Sequence, residues 1–243
     1  MEQEHVTTSR ADGYAVVTLN RAAKRNALSF AMRRRLAELL ATLAADADVR
    51  CLVLTGAAPD FCAGMDVSAF GGDAANRREI VESSTAVFAA LAAFPKPLVA
   101  AVEGRALGGG LGLVLACDIR LAGRSAQFGV PEVRFGAAGG FAALRAAVGD
   151  GPARELALTA RTFGAEEAPR LGMIAEVVAD GRVAERAHAL AAHVAALPAR
   201  GIRLQTEIIR ATSGATLAEG LAYEAEVFRR EVLGRAADAP VDG

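Results

Sequence analysis

Short apolar runs alternate along the chain with longer segments whose apolar residues recur at helical spacing. The runs YAVVTL (14–19), CLVLTG (51–56) and PLVAAVEG (97–104) are rich in valine and leucine and predict buried strands. The segments between them, residues 29–46 and 76–93, predict amphipathic helices. Strands that alternate with helices in this way indicate an α/β fold in which the parallel strands end at one edge of the sheet.

The first predicted helix has the clearest pattern. Ser29 is placed to cap its N-terminus, because a serine side chain accepts a hydrogen bond from the free N–H groups of a first helical turn. The spacing of the leucines gives this helix one apolar face, which consists of Leu36, Leu39, Leu40 and Leu43.

The second half of the chain has a different character. LGLVLACD (111–118) predicts a buried helix and IRLAG (119–123) predicts a short strand. From about residue 150 the pattern is mainly helical, with MIAEVVAD (173–180) as a strand-like exception. Three more helices are predicted, over residues 183–197, 202–211 and 216–233. We expect them to form a packing or subunit-contact module rather than an independent domain.

Composition and charge narrow the class of protein. The chain has 243 residues, 53% of them hydrophobic, and is long enough to bury a large core. Its 27 Lys and Arg nearly balance its 28 Asp and Glu, so no strong field attracts nucleic acid or an anionic membrane. No apolar stretch reaches the length of a membrane span, and the first residues lack the apolar core of a secretory signal. We therefore expect a cytoplasmic protein without nucleic-acid or membrane partners.

The cysteines and histidines form no recognisable metal or disulfide pattern. Cys51, Cys62 and Cys117 are odd in number and lack CxxC spacing, which indicates neither a disulfide framework nor a zinc site. His188 and His193 share a predicted helix at a spacing that fits no common metal pair. We expect no metal in this protein.

Two loops follow neighbouring predicted strands and carry small residues. They are APDFCAGMDV (58–67) and GRALGGGLG (104–112), and both should lie at the carboxyl edge of the sheet, where open α/β folds bind ligands. Each places small residues just before a predicted helix start, so free backbone N–H groups and the positive end of a helix dipole would face outward together. The pair is suited to holding an anion.

Sequence motifs separate the anions that such loops could hold. The glycines fit neither the G-x-G-x-x-G spacing of dinucleotide sites nor the G-x-x-x-x-G-K-[ST] spacing of nucleoside triphosphate sites. The G-x-S-x-G motif of α/β hydrolases is also absent. An oxyanion hole without a nucleophile remains, in which two peptide N–H groups stabilise the negative charge of a forming enolate.

Four segments together resemble the enoyl-CoA hydratase/isomerase (crotonase) superfamily. They are LNRAAKRNAL (19–28), FCAGMDV (61–67), the glycine-containing stretch 94–123 and AQFGVPEVRFG (126–136), and the similarity runs in order over residues 14–178. The resemblance implies an α/β fold with a crotonase-like ββα-superhelix core over residues 1–178. It also implies a C-terminal helical oligomerisation region over residues 179–243, and therefore a homotrimer or a dimer of trimers. The apolar positions that suit such contacts are Leu217, Leu221 and Phe228.

The resemblance also implies which backbone groups bind the substrate. The oxyanion donors would be the N–H groups of Met65 and Gly109, and the substrate would be a coenzyme A thioester, with no other cofactor. A side chain at position 109 would collide with the thioester, which explains the glycine run. The residues expected around the thioester are Ala63, Gly64, Asp66, Gly108 and Gly110.

The expected reaction depends on how many carboxylates the site holds. Family hydratases are known for two glutamates, and the first of these positions is Gly112 here, while the second is Glu132 in FGVPEV. Phe128, Val130, Val133 and Phe135 give Glu132 an apolar setting, and we expect burial to raise its pKa.

One carboxylate suits proton transfer from C2 to C4 better than the addition of water. The favoured reaction is therefore Δ3-to-Δ2 enoyl-CoA isomerisation with Glu132 as the proton shuttle. Asp66 and Asp118 are alternative acids or bases, although capping or loop orientation is the expected role of both. A hydratase with another way of activating water, and a crotonase-fold protein that binds acyl-CoA without turnover, are the two other hypotheses.

The remaining substrate contacts come from the resemblance. In relatives the coenzyme lies bent near the first motif, which makes Arg21, Lys24 and Arg25 candidates for its phosphates. The acyl group is expected near Phe70, Phe88 and Phe141.

Overall fold

The computed structural model describes residues 4–66, 68 and 72–233, which form two sheets and the helices around them. The strands are β1 (Val6–Ala11), β2 (Tyr14–Leu19), β3 (Cys51–Gly56), β4 (Leu98–Val102), β5 (Arg105–Leu107), β6 (Ile119–Gly123), β7 (Gln127–Gly129), β8 (Phe163–Gly164) and β9 (Glu176–Val178). The helices are α1 (Phe30–Ala45), α2 (Ala74–Ala92), α3 (Gly109–Leu115), α4 (Phe141–Val148), α5 (Asp150–Thr159), α6 (Val183–Ala196), α7 (Ala199–Thr212) and α8 (Leu217–Leu233).

The larger sheet has six strands in the order β1-β2-β3-β4-β6-β9. Strands β1 and β2 form an antiparallel hairpin, and every other neighbouring pair in this sheet is parallel. The smaller sheet has the order β5-β7-β8 and begins where β4 ends. The loops after β3 and β4 therefore leave the same edge of the larger sheet, as the sequence predicts.

Strands β2, β3 and β4 of the larger sheet are buried on both faces, which explains why they read as nearly continuous apolar runs. On β2, Ala15, Val17 and Leu19 point into the core that includes the leucines of α1. Tyr14 and Val16 point to the opposite face, where they pack against α6. The crotonase-like α/β architecture expected from the sequence is thus present, and α6 belongs to the packing of its sheet.

The predicted elements around the sheet are confirmed, with shifts at several ends. Ser29 caps α1, accepting a hydrogen bond from the N–H of Met32 at 3.3 Å. The helix predicted over 111–118 begins earlier, at Gly109, and ends at Leu115. After it the backbone leaves the helical pattern, since Asp118 N–H donates to the carbonyl oxygen of Leu98 at 2.9 Å. The Asp118 carboxylate accepts a hydrogen bond from Leu98 N–H at 2.8 Å and pairs with Arg210 of α7.

Four short strands were not predicted, because each depends on pairing rather than on its own pattern. β1 is exposed along most of its length and forms as the hairpin partner of β2. β5, β7 and β8 are two or three residues long and lie in segments that are otherwise loops. The division of the chain at residue 178 and the subunit contacts of the last helices stay predictions. Within the described ranges, no helix has both the length and the apolar character needed to cross a membrane.

Candidate active site

The loop after β3 is held in place by Leu28, which lies just before α1. Leu28 N–H donates to the carbonyl oxygen of Gly64 at 2.8 Å, and Asp66 N–H donates to the carbonyl oxygen of Leu28 at 3.1 Å. These bonds form a parallel bridge between Leu28 and Met65. Since the groups that flank Met65 make the bridge, the N–H of Met65 itself faces away from Leu28.

The loop after β4 lies directly beside the first loop. Cys62 N–H donates to the carbonyl oxygen of Arg105 at 2.9 Å, and Leu107 N–H donates to that of Cys62 at 3.0 Å. Gly108 N–H then turns to the other side and donates to the carbonyl oxygen of Gly129 at 2.8 Å. The two loops form one surface, and α3 starts from it.

The glycines are required by this close approach of the two loops. A Cβ atom placed on Gly110 would lie 2.3 Å from the carbonyl oxygen of Cys62, and one on Gly64 would lie 3.0 Å from that of Leu107. Gly108 has a φ of +52°, and a Cβ there would lie 2.8 Å from Oε1 of Glu132. A Cβ on Gly109 would meet the side chain of Met65, with its Cε at 3.2 Å. Backbone packing therefore excludes a side chain at Gly110 and the positive φ disfavours one at Gly108, whereas at Gly109 the Met65 side chain would have to shift.

Among the N–H groups of this surface that have no backbone acceptor in the described part of the chain, two belong to the predicted oxyanion donors. One belongs to Met65 and the other to Gly109, the first residue of α3, whose N–H has no acceptor within the helix. The sequence predicts a helix start after each loop; α3 confirms this for the second loop, and the segment just after the first loop lies partly outside the described residues. The bridge to Leu28 leaves the N–H of Met65 directed away from Leu28.

Met65 and Gly109 line the same cavity of about 300 Å³. The rest of the lining consists of small or apolar residues and a single carboxylate: Ala63, Gly64, Gly108, Pro131, Glu132, Phe135 and Ala137. The structure thus brings together the predicted oxyanion donors, Glu132 and three of the five residues expected around the thioester, whereas Asp66 and Gly110 lie outside this lining.

Glu132 lies on a short 3-10 helix, Pro131–Phe135, which follows β7. Its Oε2 is buried and has no hydrogen-bond partner among the described residues. Burial raises the pKa of Glu132, and a hydrogen bond from its own backbone N–H opposes this rise. The apolar setting expected from the sequence holds for Val130, which is buried, whereas Phe135 is 71% exposed while still lining the cavity. A half-buried carboxyl with a raised pKa is suited to accepting and returning a proton.

Position 112, where family hydratases carry another glutamate, is closed by an aromatic ring. A Cβ on Gly112 would lie 3.0 Å from Cε1 and 3.1 Å from Cζ of Phe88. Phe88 lies on α2 and packs against the core. The ring therefore occupies the space into which a side chain at position 112 would project.

The basic residues of the first motif have different environments. Arg21 donates to Oδ2 of Asp66 at 2.6 Å and to the carbonyl oxygen of Ala27 at 3.1 Å. Hydrogen bonds from Ser68, and then from Arg21, lower the pKa of Asp66. Arg21 and Asp66 thus hold the segment after β2 against the loop after β3, whereas Lys24 and Arg25 are exposed.

Of the predicted acyl-binding aromatics, the two that the structure describes have different surroundings. Phe141 begins α4 and lines a second cavity of about 240 Å³, which also reaches Glu132. Phe88 packs against Gly112, as described above. Phe70 lies outside the described residues.

Two residues that support this site were not predicted. Asn26 is fully buried and donates to the carbonyl oxygens of Ala57 and Asp60 at 2.8 and 2.7 Å, so it holds the start of the first loop. Arg33 is 1% exposed and contacts Met65. The sequence could have indicated the burial of Arg33, because this residue precedes Leu36 by three positions and so shares the apolar face of α1.

Comparisons with known proteins agree with this geometry. The family model for enoyl-CoA hydratase/isomerase matches residues 9–234. The chain is 38% identical over 227 residues to a putative enoyl-CoA hydratase of Thermus thermophilus, covering 89% of each chain. It is 34% identical over 223 residues to the 2,3-dehydroadipyl-CoA hydratase of Escherichia coli, covering 90% of this chain and 87% of that protein.

Solved structures give the same result. The enoyl-CoA hydratase of Bacillus anthracis superimposes with a TM-score of 0.89 at 31% identity, over 95% of this chain and 92% of that one. Pseudomonas aeruginosa DspI superimposes with a TM-score of 0.89 at 34% identity, over 98% and 92% of the two chains.

The contact between the loops predicts the effect of Gly110→Ala. Its Cβ would overlap the carbonyl oxygen of Cys62, so the loops must separate, and we expect the free energy of unfolding to fall by about 2–3 kcal/mol. Urea denaturation measures this change. Gly139→Ala is the control, since a Cβ at that position meets nothing within 4 Å. Equal stability of the two variants would contradict the close packing of the loops.

Proposed function

Since the chain belongs to the enoyl-CoA hydratase/isomerase family, we propose that it is an enoyl-CoA isomerase that converts Δ3-enoyl-CoA to Δ2-enoyl-CoA. In this proposal the N–H groups of Met65 and Gly109 bind the thioester oxygen. Glu132 is the catalytic residue and moves a proton from C2 to C4. Membership of the family makes the protein an enzyme that acts on acyl-CoA thioesters. What we propose is the reaction, isomerisation rather than hydration.

The observation that carries this proposal is the position of Glu132. It is the one carboxylate in the lining of the cavity that Met65 and Gly109 share, as far as the described residues go. Its Oε1 lies 2.8 Å from the Cβ position of Gly108, so the carboxyl group is directly beside the glycine run. A thioester oxygen held by the two amides would present its C2 to this carboxyl group.

Each step of the isomerisation has a group to perform it. Ionised Glu132 takes the C2 proton, and the electron pair of the C–H bond moves into the thioester to form a dienolate. The two N–H groups stabilise the charge on its oxygen, at about 3 kcal/mol for each donor. Protonated Glu132 then delivers the proton to C4, and the double bond moves from C3–C4 to C2–C3. The raised pKa of Glu132 favours its holding the proton between the two steps.

Hydration is the second candidate function, and the names of the relatives favour it. The Thermus thermophilus and Escherichia coli proteins are both called hydratases. Adding water needs one group to activate the water and another to supply a proton. Gly112 provides no such group, and the Phe88 ring fills the adjoining space.

In this proposal the coenzyme end of the substrate binds at the segment LNRAAKRNAL (19–28). Lys24 and Arg25 are exposed and free to meet phosphates, whereas Arg21 acts through its ion pair with Asp66. Asp66 and Asp118 are each occupied by an arginine, which supports orienting roles over acid–base roles.

We assign the outer face of α8 to subunit contacts in a homotrimer or a dimer of trimers. The apolar side chains there are largely exposed in the single chain: Leu217 at 80%, Leu221 at 56% and Phe228 at 71%. Contiguous apolar residues on a surface mark contact sites.

A comparison of two substrates tests the proposed function. We expect purified protein to convert 3-hexenoyl-CoA to 2-hexenoyl-CoA and to leave crotonyl-CoA largely unhydrated. Glu132→Gln removes the proton carrier and should lower kcat for isomerisation by about a thousandfold. Glu166→Gln, which changes an exposed glutamate, is the matched control and should retain wild-type activity.

Two other results would overturn the isomerase proposal. Rapid hydration of crotonyl-CoA without conversion of 3-hexenoyl-CoA would make the protein a hydratase. Binding of both compounds without conversion of either, measured by calorimetry, would make it an acyl-CoA-binding protein without turnover.

The raised pKa of Glu132 predicts the pH dependence of kcat/KM. The base is active when ionised, so the rate falls as the pH drops through its pKa. Because burial raises this pKa, the acid limb should lie at a higher pH than an ordinary exposed glutamate would give. The pH profile with 3-hexenoyl-CoA measures the limb. A rate that stays constant down to the pKa of an exposed glutamate would contradict the role of Glu132.

A further inference from the structure

Arg33 is a buried cation that the proposed mechanism does not yet use. It lies on the first turns of α1 and is 1% exposed. Its Nε donates to Oγ of Ser83 at 2.9 Å, and its guanidinium lies 5.0 Å from the centre of the Phe30 ring. Burying a charged group is costly, so its surroundings should show what the charge does.

The first contact of Arg33 with the loop goes through Leu28. Nη1 of Arg33 donates to the carbonyl oxygen of Leu28 at 2.8 Å. The same oxygen accepts the N–H of Asp66, and Leu28 N–H holds the carbonyl of Gly64. Arg33 therefore holds Leu28 in place, and the bridge between Leu28 and Met65 points the N–H of Met65 away from Leu28.

The second contact goes directly to Met65. Nη1 of Arg33 lies 3.3 Å from Sδ of Met65. The side chain of Met65 in turn covers Gly109, where a Cβ would lie 3.4 Å from the same sulfur atom. Arg33 thus contacts Met65 directly and reaches Gly109 through the Met65 side chain, so it supports the residues of both proposed oxyanion donors.

Among the described residues, no direct ion pair neutralises the charge of Arg33. Burial lowers the pKa of Arg33, and the charges of Glu79 and Asp66 raise it. No carboxylate of the described residues forms an ion pair with Arg33 within 4.0 Å, and its Nη2 is buried without a hydrogen-bond partner there. An arginine stays protonated in such a setting. Its positive charge lies against the loop that holds Met65, since Nη1 contacts the Met65 sulfur atom.

We propose that Arg33 is a positioning residue, which fixes the Met65 amide and places a buried positive charge behind the site of the forming oxyanion. This inference rests on the proposed function, because it takes the amides of Met65 and Gly109 to bind the thioester oxygen. Through Leu28 the guanidinium sets the direction of the amide, and through its charge it favours the enolate over the neutral thioester. Its effect should therefore appear in kcat more than in KM.

The test compares Arg33→Met and Arg33→Lys with wild type. Arg33→Met keeps a long apolar side chain but removes the charge and the hydrogen bonds, and Arg33→Lys keeps the charge. Arg35→Met is the matched control, since Arg35 lies on the same helix and its side chain is 46% exposed. We expect Arg33→Met to lower kcat for 3-hexenoyl-CoA by about ten- to a hundredfold with KM within about threefold, and Arg33→Lys to recover part of the loss.

A spectroscopic measurement separates this role from a merely structural one. Infrared difference spectra of bound hexanoyl-CoA, labelled with carbon-13 at C1, report how strongly the thioester carbonyl is polarised. We expect a shift to lower wavenumber in wild type and Arg35→Met, a smaller shift in Arg33→Lys and the smallest in Arg33→Met. Because hexanoyl-CoA cannot react, the reading does not depend on which reaction the enzyme performs.

These measurements separate a failure of the proposed oxyanion site from a failure of the proposed role of Arg33. A wild-type carbonyl without any shift would overturn the oxyanion site itself and the proposed function with it. A normal wild-type shift that stays unchanged in both Arg33 variants would overturn only the role of Arg33. If Arg33→Met does not fold, Arg33→Lys alone decides, since a full wild-type shift together with wild-type kcat in that variant would contradict the positioning role.

Discussion

The contact between the loops after β3 and β4 is the constraint on which the rest of the site depends. Cys62 bonds to Arg105 and Leu107, and the carbonyl of Cys62 leaves no room for a Cβ on Gly110. This contact puts Met65 beside Gly109, and the bridge to Leu28 turns the Met65 amide away from its neighbours. In the proposed function the backbone N–H groups of these two residues form a site for negative charge that arises from backbone geometry.

Glu132 completes the site because the same glycine run leaves space for its carboxyl group. The strand β7 pairs with β5, and the turn after β7 carries Glu132 to the side of Gly108. The apolar lining keeps water and other charges away from this carboxyl group, which raises its pKa. The ring of Phe88 against Gly112 leaves Glu132 without a second carboxylate in the cavity lining, as far as the described residues go. The choice between isomerisation and hydration depends on this asymmetry.

The larger sheet and its helices could be predicted from the sequence because their signals are local. The strands buried on both faces are continuous apolar runs, and α1 has a serine cap and a leucine face. The strands β5, β7 and β8 could not be predicted, because two or three residues carry too little pattern and their pairing is set by the glycine loops.

The candidate site likewise has residues that the sequence predicts and residues that it does not. Glu132 and the glycine run were found through family motifs, and the structure places them around one cavity. The contacts of Asn26 depend on a buried loop conformation with a φ of +54°, which no periodicity reveals. Arg33 was hidden among three consecutive arginines, although its spacing from Leu36 predicts the buried face.

The central claim is that the amides of Met65 and Gly109 hold the thioester oxygen while Glu132 faces the carbon that loses its proton. A crystal structure with hexanoyl-CoA bound measures this most directly. The account predicts the thioester oxygen at about 3 Å from both backbone nitrogen atoms, with the Glu132 carboxyl group beside C2. A thioester oxygen bound elsewhere, or a Glu132 carboxyl group turned to solvent with the ligand in place, would contradict it.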